Sequence, residues 1–370
     1  MTTGKNMKKI KRILMWYFIP LLGVVAVLAV YGHFNPEKVF NRVRDVERAA
    51  AKLTEKTVTV NGLDYCYLEG GDGEPLILVH GFGADKDHWT RVARYLTRHY
   101  RVIAPDLPGF GDSTQRIDLD YSYAAQARRL HDFVSALDLP AVHMGGSSMG
   151  GGVAGAYATL FPEAVKSLWL VAPGNVVSPE DSDFFTVLKS GADNPLIPDS
   201  PETLATTLDY LFHKKPFMPP AIVGMLSEQA AAEKGIREII FHALIQEKEI
   251  LNTQLGESEI PTLVLWGEQD RVIDKSAAGV LCGALKKAVC VILSPAGHLP
   301  MIEQPSASAK AFLSFQKHPP QETAAEDAHE DSLDDHGEDT AVKTDAHGPS
   351  DHAAPKDPVS ATDTHDAYVH

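Results

Sequence analysis

The length, composition and charge of the chain set the first limits on its function. It has 370 residues, 44% of them hydrophobic, which is enough for a sizeable core and excludes a wholly disordered protein. The formal net charge of −15 is spread unevenly. Residues 1–12 carry five cations and no acid, whereas residues 319–370 carry fourteen acids and two lysines. Because no basic stripe remains outside the N-terminal cluster, we do not expect the chain to bind nucleic acid.

The cysteine content argues against a disulfide framework or a zinc site. Cys66, Cys282 and Cys290 are too few for such a framework, and none of them belongs to a C-x-x-C pair. One disulfide is compatible with the sequence in an oxidising compartment. The spacing does not indicate whether it forms or which two cysteines it joins.

An uncharged apolar run, residues 13–32, follows the basic flank 1–12. As a helix it would be about 30 Å long, the thickness of the hydrocarbon core of a bilayer. We predict a retained single-pass transmembrane anchor; the alternative is a cleaved signal peptide, because small residues near Ala29 offer a cleavage site. The flank is expected to stay cytoplasmic, which places the rest of the chain on the non-cytoplasmic side, the periplasm if the protein is bacterial. Residues 33–56 are predicted as a linker with a short basic helix on the lipid headgroups.

After the linker, short apolar runs alternate with amphipathic stretches. Asn61-Gly62 between two such runs predicts a β-hairpin. Further strands are predicted at 76–79, 101–104, 141–144, 166–172, 262–266 and 289–293. Helices are predicted at 89–98, 122–137, 149–160, 276–287 and 305–317. This alternation predicts an α/β fold, a mostly parallel doubly wound sheet opened by an antiparallel hairpin, formed by residues 57–174 and 260–318.

Residues 175–259 interrupt this alternation, because they contain no strand-like run. Prolines separate three segments with helical spacing, at 179–190, 201–212 and 219–249. One long crossover helix is the alternative, but a crossover needs far fewer residues. We therefore predict a helical cap inserted into the sheet domain.

The C-terminal tail, residues 319–370, has one aromatic residue and no apolar periodicity. It cannot bury enough surface to offset the entropy of ordering, so we predict that it is disordered. Its six histidines are interleaved with aspartates, which leaves weak transition-metal binding as an alternative to a solvated acidic tail.

A G-x-S-x-G motif, residues 146–150, stands between a predicted strand and a predicted helix. A nucleophile on such a sharp turn sits in strained backbone, and its neighbours two positions away must be small to let the chain pass. Gly146 and Gly150 occupy those two positions, which makes Ser148 the candidate nucleophile rather than Ser147. The motif alone is also compatible with an ordinary glycine-rich turn.

A serine hydroxyl needs a base and an orienting acid, which in this fold follow later strands in the order Ser, acid, His. The predicted strand ending at 266 is followed by Asp270, and the last strand is followed by His298. His298 is therefore the candidate base, with Asp270 holding its imidazole. Glu268 and Asp274 remain as alternative acids, and a structural role as a loop-capping residue is the alternative for His298.

The residues after the strand at 76–79 read His80-Gly-Phe-Gly83. Glycines let backbone N–H groups turn inward, so the N–H groups of Phe82 and Met149 are candidate donors to the oxyanion of a tetrahedral intermediate. A plain glycine turn is the alternative for this element alone.

At these residues the chain resembles the α/β-hydrolase-fold serine hydrolases, and most closely the membrane-anchored monoacylglycerol lipases and cold-adapted bacterial lipases. The resemblance covers roughly residues 37–315 and leaves out the tail. Its motifs are HGFGADKDHW at 80–89, DLPGFGD at 106–112, GSSMGG at 146–151, NPLIP at 194–198, WGEQD at 266–270 and GH at 297–298. It implies Ser148, Asp270 and His298 as a catalytic triad, Phe82 and Met149 as oxyanion donors, and a serine carboxylesterase with no metal or organic cofactor.

The substrate expected from the cap and the anchor is a lipid ester. The apolar cap residues Phe184-Phe185, Leu211-Phe212, Phe217-Met218 and 222–226 are compatible with an acyl pocket, although such residues are also ordinary core. An anchor would keep the enzyme near monoacylglycerols and similar lipids. Two rival functions remain: a small-ester or thioester hydrolase of metabolic intermediates, and a low-turnover binding protein on the same fold. A serine nucleophile excludes the aspartate-dependent dehalogenases and epoxide hydrolases as the straightforward interpretation.

Overall fold

The computed structural model describes residues 30–247 and 250–320, and an eight-stranded sheet forms its centre. The strands are β1 (Thr54–Val60), β2 (Leu63–Gly70), β3 (Glu74–Val79), β4 (Tyr100–Pro105), β5 (Val142–Ser147), β6 (Val165–Val171), β7 (Thr262–Gly267) and β8 (Ala288–Leu293). They lie side by side in the order β1-β2-β4-β3-β5-β6-β7-β8. The β1–β2 and β2–β4 pairs are antiparallel and the remaining pairs are parallel, which confirms the predicted α/β sheet.

The predicted hairpin is present, with Asn61 and Gly62 as its two turn residues. Both have a positive φ, 51° and 77°, as a type I′ turn requires. β1 begins at Thr54, so the first strand takes the last residues of the predicted linker.

Helices cover both faces of the sheet and form the segment between β6 and β7. They are α1 (Pro36–Ala50), α2 (Thr90–Leu96), α3 (Tyr123–Ala136), α4 (Met149–Leu160), α5 (Asp183–Lys189), α6 (Pro201–Leu211), α7 (Pro220–Ala232), α8 (Lys234–Gln246), α9 (Ile250–Gln254), α10 (Ser276–Ala284), α11 (Pro300–Glu303) and α12 (Pro305–Lys317). Two short 3₁₀ helices lie at Lys86–Trp89 and Pro162–Ala164.

Each face of the sheet packs into its own apolar cluster, as β6 illustrates. Leu168 and Leu170 belong to the cluster that also contains α3 and α4 residues, whereas Trp169 and Val171 belong to the cluster with α2 and α12. Successive side chains of a strand point to opposite faces, so a continuous apolar run marks a strand that is buried on both.

The segment between β6 and β7 is helical, but the predicted helix at 219–249 is wrong as a single element. It divides into α7 and α8, because Glu233 ends the first helix and Gly235 lowers the helix propensity just beyond it. α9 also packs on the sheet domain. A Cβ at Gly155 of α4 would lie 1.9 Å from Leu251 Cδ2, so the two helices are in close contact.

The predicted helix at 276–287 ends early, at Ala284, and β8 begins four residues later. A disulfide joins Cys282 of α10 to Cys290 of β8, and Cys66 is a buried free thiol. This answers the question that cysteine spacing left open.

Most of the residues for which the anchor and the tail were predicted are not described by the structure. The flank 1–12, residues 13–29 of the predicted anchor and residues 321–370 of the predicted tail lie outside the described residues. Within residues 30–247 and 250–320, no helix is long and apolar enough to cross a bilayer. The helix expected in the linker is α1, and Phe34, Val43 and Val46 are exposed along this segment.

Candidate active site

Ser148 lies on the turn between β5 and α4, in strained backbone. Its φ of 52° and ψ of −121° place a side-chain-bearing residue at positive φ. A Cβ at Gly146 would lie 2.1 Å from the carbonyl oxygen of Gly150, and a Cβ at Gly150 would lie 2.2 Å from that of Val79. The backbone therefore leaves no room for a side chain at either glycine, which is the steric reason for the motif.

Hydrogen bonds from the neighbouring strand and loop hold this turn. The Ser148 N–H donates to the carbonyl of Val171 at 3.0 Å, and the Ser148 carbonyl accepts from the N–H of Gly174 at 2.7 Å. This turn between β5 and α4, which we call the elbow, is thus attached to the end of β6 as well as to α4.

Asp270 and His298 meet at the same edge of the sheet, after β7 and β8. Nδ1 of His298 lies 2.8 Å from Oδ2 of Asp270, and both side chains are buried. The other carboxylate oxygen of Asp270 accepts the N–H groups of Val272 and Ile273 at 2.8 and 3.0 Å. The carboxylate is therefore fixed on one side by its own loop and presents its second oxygen to the imidazole.

The two alternative acids make other contacts. Glu268 lies 3.6 Å from the ammonium of Lys275 and accepts a hydrogen bond from Gln269. Asp274 accepts the N–H of Ser276 at the start of α10. Of the three acids considered from the sequence, Asp270 is the one hydrogen-bonded to His298.

The His80–Gly83 loop approaches Ser148 closely. A Cβ at Gly81 would lie 3.3 Å from the Ser148 Cβ, so a larger residue there would press on the serine. The Phe82 and Met149 N–H groups donate to no acceptor among residues 30–247 and 250–320. Both predicted oxyanion donors are therefore uncommitted in this part of the chain.

His80 shapes this loop from inside the core. Its Nδ1 lies 2.8 Å from the carbonyl of Gly81, and its Nε2 lies 3.1 Å from the N–H of Leu107. A carbonyl requires a donor and an N–H requires an acceptor, so the proton is on Nδ1 and the ring is neutral. Complete burial also lowers the pKa of His80.

A buried lysine, Lys86, begins the short 3₁₀ helix that follows this loop, and the sequence predictions did not assign it a role. Lys86 is fully enclosed, and its ammonium lies 2.8 Å from Asp106 and 2.5 Å from Asp112. Its pKa is raised, since the attraction of these carboxylates outweighs the effect of burial. Both acids belong to the DLPGFGD stretch, so the signal was present in the quoted motifs, but nothing in them indicates burial.

Two cavities meet at Ser148. The first, of about 300 Å³, we call the charged cavity; it is lined by Arg44, Asp85, His88, Glu233, Arg237 and His298 together with apolar residues. The second, of about 260 Å³, we call the aromatic cavity; it is lined by Tyr123, Met149, Phe184, Phe185, Phe241 and Leu244, among others. Phe82, Ser148 and Leu196 border both. The candidate nucleophile thus stands between a mixed polar space and a mostly apolar one.

Two of the cap residues proposed for an acyl pocket, Phe184 and Phe185, line the aromatic cavity. Others do not contribute in this way: Phe217 is 91% exposed and lines neither cavity. Phe241 of α8 also lines it, and sequence reasoning missed this residue because it reads as an ordinary apolar position of a helix.

A serine on a sharp strand-to-helix turn, lining one cavity with the histidine of a buried Asp–His pair, is typical of serine hydrolases of the α/β-hydrolase class. The comparison with known families agrees: the family described as alpha/beta hydrolase fold matches residues 74–305. The chain belongs to this family, and the predicted enzyme class, a serine ester hydrolase, is confirmed.

Individual relatives are similar over most of their length. Lipase 1 of Psychrobacter immobilis is 33% identical over 282 residues, covering 74% of this chain and 87% of the lipase. Monoacylglycerol lipase ABHD6 of Homo sapiens is 31% identical over 264 residues, covering 68% and 78%. Among solved structures, a bacterial membrane phospholipase A is 40% identical with a TM-score of 0.74, covering 81% of this chain and 97% of that one.

Proposed function

We propose that this protein is a membrane-anchored lipase that hydrolyses monoacylglycerols or similar lipid esters through Ser148, Asp270 and His298. The observation that carries the proposal is the imidazole of His298, held by Asp270 in a buried hydrogen bond and lining the same cavity as Ser148. Relatives named lipase and monoacylglycerol lipase support the substrate class.

The proposed reaction has two steps. Nδ1 of His298 is held by Asp270, so Nε2 is free to take the proton of the Ser148 hydroxyl as its oxygen attacks the ester carbonyl. The oxyanion is stabilised by the N–H groups of Phe82 and Met149, and the imidazolium returns its proton to the leaving alcohol as the C–O bond breaks. In the second step His298 takes a proton from water, hydroxide attacks the acyl-enzyme, and Ser148 recovers its proton as the fatty acid leaves.

The two cavities support a binding mode in which the alcohol part and the acyl chain of the ester lie on different sides of Ser148. The leaving alcohol must be within reach of the base that protonates it, and His298 lines only the charged cavity. The alcohol is therefore placed in the charged cavity. The acyl chain then extends into the aromatic cavity, where Phe184, Phe185 and Phe241 offer an apolar wall.

Membrane attachment is proposed through residues 13–32, with α1 next to the bilayer. α1 contributes Phe40 and Arg44 to the wall of the charged cavity, so the helix that follows the apolar run borders the proposed substrate site. A 40% identical relative described as a membrane phospholipase A supports this arrangement. Attachment would keep the enzyme at the surface where lipid esters reside.

The test of the proposed function is hydrolysis of a monoacylglycerol by the full chain in detergent micelles. We expect turnover by the wild type and loss of at least about 10³-fold in Ser148→Ala. Ser147→Ala is the matched control, because this neighbouring hydroxyl is buried without a hydrogen-bond partner among the described residues and should be dispensable. Turnover by Ser148→Ala at the wild-type rate would contradict the proposal, and a preference for acetyl or thioesters over long-chain glycerides would favour the metabolic-ester alternative.

A further inference from the structure

His88 stands in the wall of the charged cavity without a protein partner. It lies in the short 3₁₀ helix that follows the His80–Gly83 loop, and a Cβ at Gly81 would come 3.8 Å from its Cε1. Neither ring nitrogen is hydrogen-bonded to any residue in the described ranges, and Nδ1 is fully enclosed. Because Nδ1 is enclosed, Nε2 is the ring nitrogen that a ligand or water in the cavity can reach.

The surroundings of His88 indicate which ring nitrogen faces the cavity and whether that nitrogen is a hydrogen-bond donor or an acceptor. Nε2 is not among the enclosed atoms, whereas Nδ1 is, so the accessible nitrogen of the ring is Nε2. Burial, with the neighbouring imidazoles of His80 and His298, lowers the pKa of His88 to about 3, and the ring is therefore neutral at neutral pH. A neutral imidazole has one N–H, and enclosed N–H groups without an acceptor are rare. The proton therefore belongs on Nε2, where it is available to a ligand.

His88 lies on the side of Ser148 that the leaving alcohol occupies. It shares the charged cavity with His298, which protonates that alcohol, and it does not line the aromatic cavity. We infer that His88 is a specificity-determining residue that donates a hydrogen bond to a free hydroxyl of a glycerol-like leaving alcohol, an inference that rests on the proposed ester hydrolysis at Ser148. His88 thereby distinguishes esters of polyols from esters of simple alcohols, whereas the acyl chain binds in the aromatic cavity.

Two esters of one fatty acid test this without any variant. A 1-monoacylglycerol and the propyl ester of the same acid differ only in the two hydroxyls of the alcohol. We expect wild-type kcat/KM to favour the glyceryl ester by about tenfold, the usual worth of one hydrogen bond in a desolvated site. Equal kcat/KM values would overturn the inference, whereas the absence of turnover on both would count against the proposed function itself.

Variants assign the preference to His88. His88→Phe keeps a flat ring without nitrogen, and His88→Gln places an amide N–H near the position of Nε2. We expect His88→Phe to lose the glyceryl preference, because its kcat/KM falls about tenfold further on the glyceryl ester than on the propyl ester, and His88→Gln to retain most of the preference. His88→Leu serves as a second apolar replacement if the phenylalanine destabilises the protein.

The rate of labelling by an alkyl fluorophosphonate reports whether each variant keeps a working serine, since the probe brings no polyol to the charged cavity. Labelling at the wild-type rate together with a lost glyceryl preference supports the inference. Equal losses of kcat/KM on both esters, or a His88→Gln variant as impaired as His88→Phe, would show that His88 supports the fold of the site and does not bind the alcohol.

Discussion

Nδ1 of His298 lies 2.8 Å from Oδ2 of Asp270, although 28 positions of sequence separate the two residues and they follow different strands, β7 and β8. The second oxygen of Asp270 is held by two backbone N–H groups of its own loop. The carboxylate therefore cannot turn away from the imidazole without losing both bonds. This is the arrangement that keeps Nε2 of a histidine directed at a substrate.

Replacing Asp270 by Asn should preserve the shape of this pair and remove its charge. An amide can present its N–H to Nδ1 and so stabilise the wrong tautomer, which leaves no base at Nε2. We expect kcat to fall by roughly 10³–10⁴ with little change in stability. Glu268→Gln is the matched control, since that exposed carboxylate does not contact His298; if it proved as damaging as Asp270→Asn, Asp270 would not be the orienting acid.

Gly150→Ala tests the steric account of the elbow. Its new Cβ would meet the carbonyl oxygens of Val79 and His80 at 2.2 and 2.4 Å, and backbone atoms of a central strand cannot move aside. We expect the free energy of unfolding to fall by about 3 kcal/mol, measured by urea titration. Gly224→Ala in α7 meets nothing within 4 Å and should instead raise it by about 0.5–1 kcal/mol.

Lys86→Met should be strongly destabilising, because it leaves the fully buried carboxylate of Asp106 without its counter-charge. Removing one partner of a buried ion pair typically costs about 3–5 kcal/mol. Lys286→Met is the control: this exposed lysine pairs with exposed acids, and its loss should change stability by less than about 0.5 kcal/mol. Similar values for the two variants would mean that the buried network contributes little.

Stability should decrease as the pH falls below the ordinary histidine range. In the unfolded chain His88 takes up a proton near its ordinary pKa of 6.5, but in the folded protein only at about 3. Between these values the unfolded state binds more protons, so the free energy of unfolding falls with falling pH. His80, whose pKa is also lowered, acts in the same direction.

His88→Gln removes one of these groups and should make the dependence of stability on pH shallower between pH 6.5 and 3. Thermal unfolding at a series of pH values measures it. An unchanged slope would show that the pKa of His88 is the same in the folded and the unfolded chain, which would contradict the enclosed, neutral ring described above.

Much of this fold could be predicted because local rules and global packing agree. Asn61-Gly62 favours a tight hairpin turn, and residues 168–171 of β6 form a continuous apolar run because both faces of the strand are buried there. The elbow could be predicted because only glycine fits at positions 146 and 150. In each case the local backbone or the burial of the strand allows only a narrow class of residues, which makes the structure predictable from the sequence.

Other features depend on contacts that no local pattern contains. Asp270, Glu268 and Asp274 are equivalent as residues of one loop, and only the path of that loop directs the first to His298. The burial of Lys86 follows from the position of Asp106, which comes directly after β4. The break at Glu233 lies in a segment whose apolar spacing continues across it, which is why one helix was predicted where the chain forms two.

The most direct test of the central claim is to map the residue that a fluorophosphonate modifies. The full chain is labelled with an alkyl fluorophosphonate, digested, and the modified peptide is sequenced by mass spectrometry. We predict one adduct, on Ser148, at an undiminished rate in Ser147→Ala and at a rate reduced at least about 10³-fold in His298→Ala. An adduct on any other residue, or labelling of Ser148 that does not depend on His298, would contradict it.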